Sequence, residues 1–146
     1  IMDKENIAPK DMETMLNKES GVYGISGVSV DFRDIEAAAA KGDNRAELSL
    51  KHYKYMVAQF IAKYAVAMQG IDGIAFTAGV GENQCGIRKG ICENLKFMGI
   101  EIDDEKNSVK GEETQISSNN SKIPVWVVPT NEELVIARDT LRLISK

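Results

Sequence analysis

Two segments in which a short apolar run leads directly into a helical pattern constrain the fold of this chain most strongly. The first, residues 76–83, reads Phe-Thr-Ala-Gly-Val-Gly-Glu-Asn, and the second, residues 128–134, reads Val-Pro-Thr-Asn-Glu-Glu-Leu. Because each apolar run feeds a helix, the two strands are expected to pair in parallel through a crossover connection. The sequence therefore predicts an α/β fold with a short parallel sheet flanked by helices.

The hydrophobic pattern predicts the other elements. Strands are expected at residues 73–78 and 123–128. Helices are expected at residues 11–17, 37–40, 43–69, 83–97 and 130–145. The three glycines of residues 21–27 indicate a loop, and the polar residues 103–121 indicate another loop with weak local structure.

Two of these helices carry an apolar stripe that we expect to be buried. In the long helix, Asp43 is the expected cap and Gly70 the expected stop, and the stripe contains Ala46, Leu50, Tyr53, Val57, Phe60, Ile61, Tyr64 and Met68. So long a stripe is typical of a domain's central helix or of a subunit interface. In the last helix the stripe contains Leu134, Ala137, Leu141 and Ile144.

The composition excludes several classes of protein. A length of 146 residues fits one domain or a large piece of a longer one. The net charge of −4 argues against binding to nucleic acid, and the chain has no apolar run of about 20 residues, as a membrane helix needs. Cys85 and Cys92 are too far apart on one helix to form a disulfide, so we expect reduced thiols in a cytoplasmic protein.

The number of strands indicates that part of the domain lies outside this sequence. Only two strands are convincing, and an isolated pair of parallel strands does not hold a domain together. The chain also begins with Ile1 rather than methionine. We therefore expect the remaining strands to precede residue 1.

Residues 79–83, Gly-Val-Gly-Glu-Asn, are the first candidate for a ligand site. Glycine lets the backbone approach a ligand closely, and free amides at a helix start favour negative charge, so the segment fits a nucleotide. It lacks the third glycine of the dinucleotide fingerprint and the lysine of a phosphate loop. A plain structural turn is the open alternative.

The start of the last helix is the second candidate. Thr130 and Glu133 have the spacing of a capping box, which leaves Glu132 free. A carboxylate beside the end of a strand can hold Mg²⁺ that bridges nucleotide phosphates. The open alternative is that Glu132 only compensates the helix dipole.

The third candidate is the run Asp31, Phe32 and Arg33. An arginine and a phenylalanine can stack on a base, and an aspartate can accept a hydrogen bond from a ribose hydroxyl. The alternative is an ordinary helix start with Asp34 as its cap. His52, the only histidine, is expected at the surface of the long helix without a catalytic role.

Together these segments resemble the acetate kinase family, within the acetate and sugar kinase/Hsp70/actin superfamily. The matching stretches follow the family's order and spacing, at residues 16–21, 24–34, 76–83 and 128–140. One departure is Val30, where the family usually has serine. The resemblance implies a partial ribonuclease-H-like (actin-like ATPase) domain, with residues 1–146 as the C-terminal part of the second domain and with the N-terminal domain and the first strands absent.

The resemblance also implies a role for each candidate residue. It assigns adenosine binding to Asp31, Phe32 and Arg33, further adenine and ribose contacts to Gly79, Val80, Gly81, Glu82 and Asn83, and Mg²⁺ to Glu132. The family transfers the γ-phosphoryl group of ATP to acetate, reversibly, and forms acetyl phosphate and ADP. By the same resemblance, the chain is expected to form a homodimer and to work with the missing N-terminal half of the same protein.

The resemblance also sets what we expect this sequence to lack. In the family, the phosphate-binding hairpins, the arginines and histidine near the transferred phosphoryl group and the acetate pocket come earlier in the chain. We therefore expect the fragment alone to be inactive. The corresponding part of a propionate or butyrate kinase and a non-catalytic dimerisation module remain as alternatives.

Overall fold

The computed structural model describes residues 1–145, and the chain divides into two compact units. The first, Ile1–Val66, is helical, and the second, from Ala67 onward, contains the sheet. Among residues 1–145, none of the helices combines the length and the apolar character needed to cross a membrane.

The first unit is built from helices alone. They are α1 (Met2–Glu5), α2 (Pro9–Lys18), α3 (Gly21–Ser26), α4 (Phe32–Ala40) and α5 (Asn44–Ala67), whose last residue belongs to the second unit. The predicted helices at residues 11–17 and 43–69 are confirmed, with changes of one or two residues at their ends, whereas the helix predicted at residues 37–40 begins five residues earlier, at Phe32.

The prediction of a loop at residues 21–27 is wrong, because this segment forms α3. Side chains of α5 stabilise the short glycine-rich helix by donating hydrogen bonds to its carbonyls. The Arg45 guanidinium binds Gly24 O and Ile25 O, and the Ser49 hydroxyl binds Val22 O at 2.9 Å. These long-range bonds offset the low helix propensity of glycine.

The long helix α5 begins as predicted, but its apolar stripe is only partly buried. Asp43 Oδ1 accepts hydrogen bonds from the N–H groups of Arg45 and Ala46, which confirms the cap. The buried residues of the helix are Ala46, Ser49, Leu50, Ala58 and Ala65. Against the prediction, Phe60, Tyr64 and Met68 are 51%, 61% and 62% exposed, because an apolar helix face is buried only where another element packs on it.

The second unit is an α/β unit around a three-stranded sheet. Its elements are β1 (Ile74–Phe76), α6 (Ala78–Asn83), α7 (Cys85–Glu93), 3₁₀ turns at Lys96–Met98 and Lys106–Ser108, β2 (Thr114–Gln115), β3 (Val125–Val127) and α8 (Glu132–Ile144). The strand order is β1-β3-β2. β1 and β3 are parallel, with Ile74 opposite Val125 and Phe76 opposite Val127, so the predicted parallel pairing is confirmed.

The third strand corrects the prediction of a weakly structured loop at residues 103–121. β2 pairs antiparallel with β3, Ile102 forms a bridge with Ser117, and Ile116 is fully buried. A strand of two residues shows no alternating pattern of its own. Its position is set by pairing with β3 rather than by local sequence.

Two predicted helices also differ from the structure. The helix expected at residues 83–97 is shorter in the structure. Gln84, whose ψ of 81° is not helical, separates the end of α6 from α7, which ends at Glu93 and is followed by the 3₁₀ turn Lys96–Met98. α8 forms as predicted, but none of its residues is buried, including the expected stripe of Leu134, Ala137, Leu141 and Ile144. Its amphipathic pattern predicts a helix correctly, whereas burial needs a packing partner that residues 1–145 do not supply.

The two cysteines are free thiols, as predicted, and their surroundings differ. Cys92 is buried, and this burial raises the pKa of its thiol to about 12, whereas Cys85 is half-buried.

Because the thiolate is the reactive form, a thiol reagent at pH 8 is expected to modify Cys85 and to leave Cys92 unmodified. Peptide mass spectrometry checks this, with urea-unfolded protein as the control in which both react. Equal labelling of both cysteines in the folded protein would contradict it.

Candidate functional site

The two strand-to-helix junctions singled out in the sequence lie side by side in the second unit. Glu82 in α6 uses its Oε1 atom to accept hydrogen bonds from Thr130 N at 2.9 Å and from Thr130 Oγ1 at 2.8 Å. These two bonds from Thr130 lower the pKa of the Glu82 carboxyl below its usual value. The glycine segment and the acidic start of α8 therefore belong to one surface of the unit.

The two glycines of α6 have different surroundings. A Cβ atom on Gly81 would lie 3.2 Å from the backbone carbon of Phe76, so close packing against β1 favours glycine at this position. A Cβ atom on Gly79 would meet no atom within 4 Å. Packing within the described chain therefore does not explain glycine at residue 79, which is free for the close approach of a ligand.

The residue that begins α6 has an unusual backbone. Ala78 has a φ of 59°, in the left-handed region that costs a residue with a Cβ atom about 1 kcal/mol or more. Such residues cluster at functional sites. The turn from β1 into α6 is therefore held in a conformation that the local sequence does not favour.

Arg88 is a buried residue of this site that the sequence reasoning did not single out. Its side chain lies in α7, and the whole residue is 0% exposed. The guanidinium donates five hydrogen bonds. Four go to the backbone oxygens of Gly81, Glu82, Asn107 and Val109, and the fifth goes to Asn107 Oδ1. Burial lowers its pKa, but an arginine stays charged in proteins.

A signal for Arg88 was present in the sequence. Arg88, Ile91, Cys92 and Leu95 follow the spacing i, i+3, i+4, i+7, which marks one face of a helix, and all four residues are buried. An arginine within such a stripe indicates a buried guanidinium with its own acceptors. Here the acceptors belong to α6 and to the segment around Asn107, so Arg88 joins both to α7.

The capping box predicted at the start of α8 is wrong. The N-cap is Asn131, whose Oδ1 accepts a hydrogen bond from Leu134 N at 3.0 Å. Thr130 is engaged by Glu82 and so does not cap the helix. Both Glu132 and Glu133 lie in the first turn and are exposed, and within residues 1–145 neither carboxylate forms a hydrogen bond or ion pair.

The candidate metal ligand Glu132 is not part of a cluster. Among residues 1–145, no group of three or more histidine, cysteine, aspartate or glutamate side chains could hold a metal ion together. A metal at Glu132 would therefore take its other ligands from elsewhere. The assignment of Glu132 to Mg²⁺ stays a prediction.

Asp31, Phe32 and Arg33 lie at the start of α4, in the first unit. The cap of α4 is Asp31, not Asp34, because Asp31 Oδ1 accepts a hydrogen bond from Arg33 N at 2.9 Å. The Arg33 guanidinium also binds the Asp31 carboxylate, and this lowers the carboxyl pKa to about 2. The Phe32 ring packs edge-on against Tyr53, with 4.6 Å between centroids. All three side chains thus have structural contacts, and their role in nucleotide binding stays a prediction.

Within α6 the remaining predicted contacts are the exposed Asn83 and the half-buried Val80. Asn83 Nδ2 donates a hydrogen bond to Gly79 O at 3.0 Å, which places the amide beside the open glycine. The site residues of the second unit, from Gly79 to Asn83 and at Glu132, are therefore close to each other through α6 and the Glu82–Thr130 contact.

Comparison with known proteins gives a consistent set of relatives. The model of the Acetokinase family matches residues 1–138. Among curated proteins, acetate kinase from Dictyoglomus thermophilum is 53% identical over 146 residues, which are 37% of its length. Acetate kinase from Treponema denticola is 51% identical over 145 residues, or 36% of its length. The chain thus spans about a third of the length of these relatives.

Solved structures show the same similarity. Acetate kinase from Porphyromonas gingivalis superposes with a TM-score of 0.88 and 43% identity, covering 98% of this chain and 36% of that one. A propionate kinase from Francisella tularensis gives a TM-score of 0.84 and 42% identity, covering 94% of this chain and 35% of that one.

Proposed function

Since this chain belongs to the acetokinase family, we propose that it forms the C-terminal, nucleotide-binding part of a reversible acetate kinase. The reaction transfers the γ-phosphoryl group of ATP to acetate and gives acetyl phosphate and ADP. The observation that carries the proposal is the open Gly79 in α6, tied through Glu82 and Thr130 to the start of the helix that carries Glu132.

The residues of α6 fit a nucleotide. The space beside Gly79 is free of protein atoms within 4 Å of a Cβ position, and the preceding Ala78 holds a left-handed backbone. A ligand that lies flat against the backbone, as a purine or ribose does, can use both features. The residues of α6 proposed to contact ATP or ADP are Gly79, Val80, Gly81 and Asn83. A role in nucleotide binding is likewise proposed for Asp31, Phe32 and Arg33 of the first unit.

Glu132 fits Mg²⁺ despite the absence of a three-residue cluster among residues 1–145. Mg²⁺ commonly binds one or two carboxylates and completes its octahedron with phosphate oxygens and water. An exposed carboxylate that has no partner within the described residues suits this pattern. When bound, the metal would neutralise charge on the phosphates of the nucleotide.

The cations that phosphoryl transfer needs are proposed to come from the rest of the protein. Stabilising the transferred group takes positive charge close to its oxygens. Arg88 is not available for this, because its guanidinium is buried among oxygens of α6 and of the segment around Asn107. This chain matches only 37% of the relative from Dictyoglomus thermophilum. We therefore expect the acetate pocket and the phosphate-binding residues to lie in the part of the full-length protein that this chain does not contain.

A hybrid enzyme tests this proposal. Acetate kinase from Dictyoglomus thermophilum, with its matching 37% replaced by this chain, is expected to form acetyl phosphate from ATP, Mg²⁺ and acetate. The 146 residues alone are expected to form none. Trapping acetyl phosphate as the hydroxamate measures both. A folded hybrid without activity would contradict the proposed reaction, and product from the fragment alone would contradict its expected inactivity.

A second candidate is the corresponding part of a propionate or butyrate kinase. The propionate kinase from Francisella tularensis matches this chain nearly as well as the acetate kinase structure does. This similarity supports the view that the shared segment does not set the acyl preference. The full-length protein that carries this sequence, assayed with acetate, propionate and butyrate, distinguishes the candidates by their kcat/KM values.

A third candidate is a non-catalytic dimerisation module, and association is also part of the main proposal. The exposed Phe60 and Tyr64 give α5 an apolar surface that a second copy of the chain could cover. The module alone would not need the open backbone at Gly79 or the strained Ala78. We therefore favour a homodimeric kinase over a purely structural role.

A further inference from the structure

The helix α6 is too short to be stable on its own. It has six residues, two of them glycine, and isolated helices shorter than about 12 residues are marginal in water. Its position must therefore be fixed by bonds to other elements. The described structure provides such bonds on two sides of the helix.

One side of α6 is held by α7 and by the segment that follows it. Arg88 Nη1 donates hydrogen bonds to Gly81 O and Glu82 O, both at 2.9 Å. Gly111 N donates a weaker bond to Glu82 O at 3.3 Å. The backbone of residues 81 and 82 is thereby fixed relative to the buried Arg88.

The other side is held by the Glu82 side chain. Its Oε1 atom accepts hydrogen bonds from both the N–H and the hydroxyl of Thr130, a residue 48 positions away in the sequence. Thr130 immediately precedes the N-cap Asn131 and lies two positions before Glu132. The ends of β1 and β3 are aligned as well, because Val128 N donates a hydrogen bond to Phe76 O at 2.8 Å. The Glu82–Thr130 contact continues this alignment beyond the strands.

We propose that Glu82 is a positioning residue rather than a nucleotide ligand. Its carboxylate fixes α6 to Thr130 and so sets the distance between the nucleotide-binding backbone at Gly79 and the carboxylate of Glu132. This inference rests on the proposed function, and it revises the role that the family resemblance gives to Glu82. Hydrogen bonds to an ionised carboxylate are stronger than neutral ones, which suits a link between separate elements.

A double-mutant cycle in the full-length protein that carries this sequence tests the inference. Glu82→Ala is expected to raise the KM for ATP about tenfold, and Thr130→Val, which removes only the hydroxyl, about threefold. If Glu82 acts through Thr130, the double variant resembles Glu82→Ala, within about twofold, because the second change removes nothing further. A multiplied effect of about thirtyfold, or an unchanged KM in Thr130→Val, would overturn the inference.

Two controls separate this role from a loss of general stability. Thr130→Ser keeps the hydroxyl and is expected to restore the KM to near the unmodified value. Glu101→Ala removes a different glutamate, an exposed one that accepts a hydrogen bond from the Ser118 hydroxyl at 3.2 Å. This substitution is expected to leave the KM unchanged. An increase in KM with Glu101→Ala equal to that with Glu82→Ala would also overturn the inference.

The outcomes for the inference and for the proposed function are distinguishable. If the unmodified full-length protein forms no acetyl phosphate, the proposed function fails. If it is active and the two effects multiply, only the positioning role fails. If Glu82→Ala does not fold, Thr130→Val and Thr130→Ser decide the inference, since only the first is expected to raise the KM.

Discussion

Replacing Arg88 with methionine is expected to lower the free energy of unfolding by about 3–5 kcal/mol. Methionine fills much of the same volume but donates no hydrogen bond. Five oxygen acceptors lose the Arg88 donor, two of them in α6, although Glu82 O keeps its weaker bond from Gly111 N. Each buried acceptor without a partner costs about 1–3 kcal/mol, and partial rehydration keeps the total below the sum. Urea unfolding, followed by the fluorescence of Trp126 in β3, measures the loss.

The neighbouring Lys89→Met substitution is the matched control. Lys89 Nζ pairs with Asp104 Oδ2 at 2.8 Å, but the two side chains are 44% and 69% exposed. Ion pairs of this kind contribute little to stability, so we expect little change in the free energy of unfolding. Arg88→Lys should lie between the two, because lysine keeps the charge but not the planar fork of donors. Equal losses for Arg88→Met and Lys89→Met would contradict the role given to Arg88.

Long-range pairing explains which parts of the sheet could be predicted. β1 and β3 are apolar runs followed by helices, so their existence and parallel pairing follow from local pattern. β2 has only Thr114 and Gln115 and lies in a polar stretch. It becomes a strand because β3 offers an edge to pair with and because the adjacent Ile116 is buried. No property of residues 103–121 alone carries this information.

The start of α8 shows how a distant contact can override a local signal. Thr130 and Glu133 have the spacing of a capping box, yet Thr130 is bound by Glu82 and the cap moves to Asn131. In the structure this junction and the glycine segment are in contact through Glu82 and Thr130. The contact between them depends on the parallel register of β1 and β3, which aligns Phe76 with Val127, and a reading of either segment alone does not contain it.

Burial was the least predictable property of the helices. Apolar periodicity gave the extents of α5 and α8 closely, but several of their large side chains are exposed, such as Tyr64 and Ile144. Periodicity reports which face of a helix can be buried, whereas burial itself depends on what packs there. In α7 the same periodicity does correspond to burial, and there it includes Arg88.

The second large effect is expected at Glu132. In the full-length protein, Glu132→Gln should lower the Mg²⁺-dependent kcat by about 10²-fold, because the substitution replaces the carboxylate proposed to hold the metal with a neutral amide. The same change should also raise the Mg²⁺ concentration needed for half-maximal activity. Steady-state assays over a range of Mg²⁺ concentrations at saturating ATP measure both quantities. An unchanged Mg²⁺ dependence would remove Glu132 from the metal site.

Glu133→Gln separates this metal role from simple compensation of the helix dipole. Glu132 and Glu133 share the first turn of α8, both are exposed, and both carry the charge that favours a helix start. If the dipole were their only partner, the two substitutions would lower stability by similar small amounts and leave the Mg²⁺ dependence alone. If Glu132 holds the metal, the two substitutions should instead differ in their kinetic effects. Glu132→Gln should lose its response to Mg²⁺, whereas Glu133→Gln should keep near-normal kinetics. Because the two positions match in helix turn and exposure, such a difference can be assigned to the ligand position of residue 132 itself.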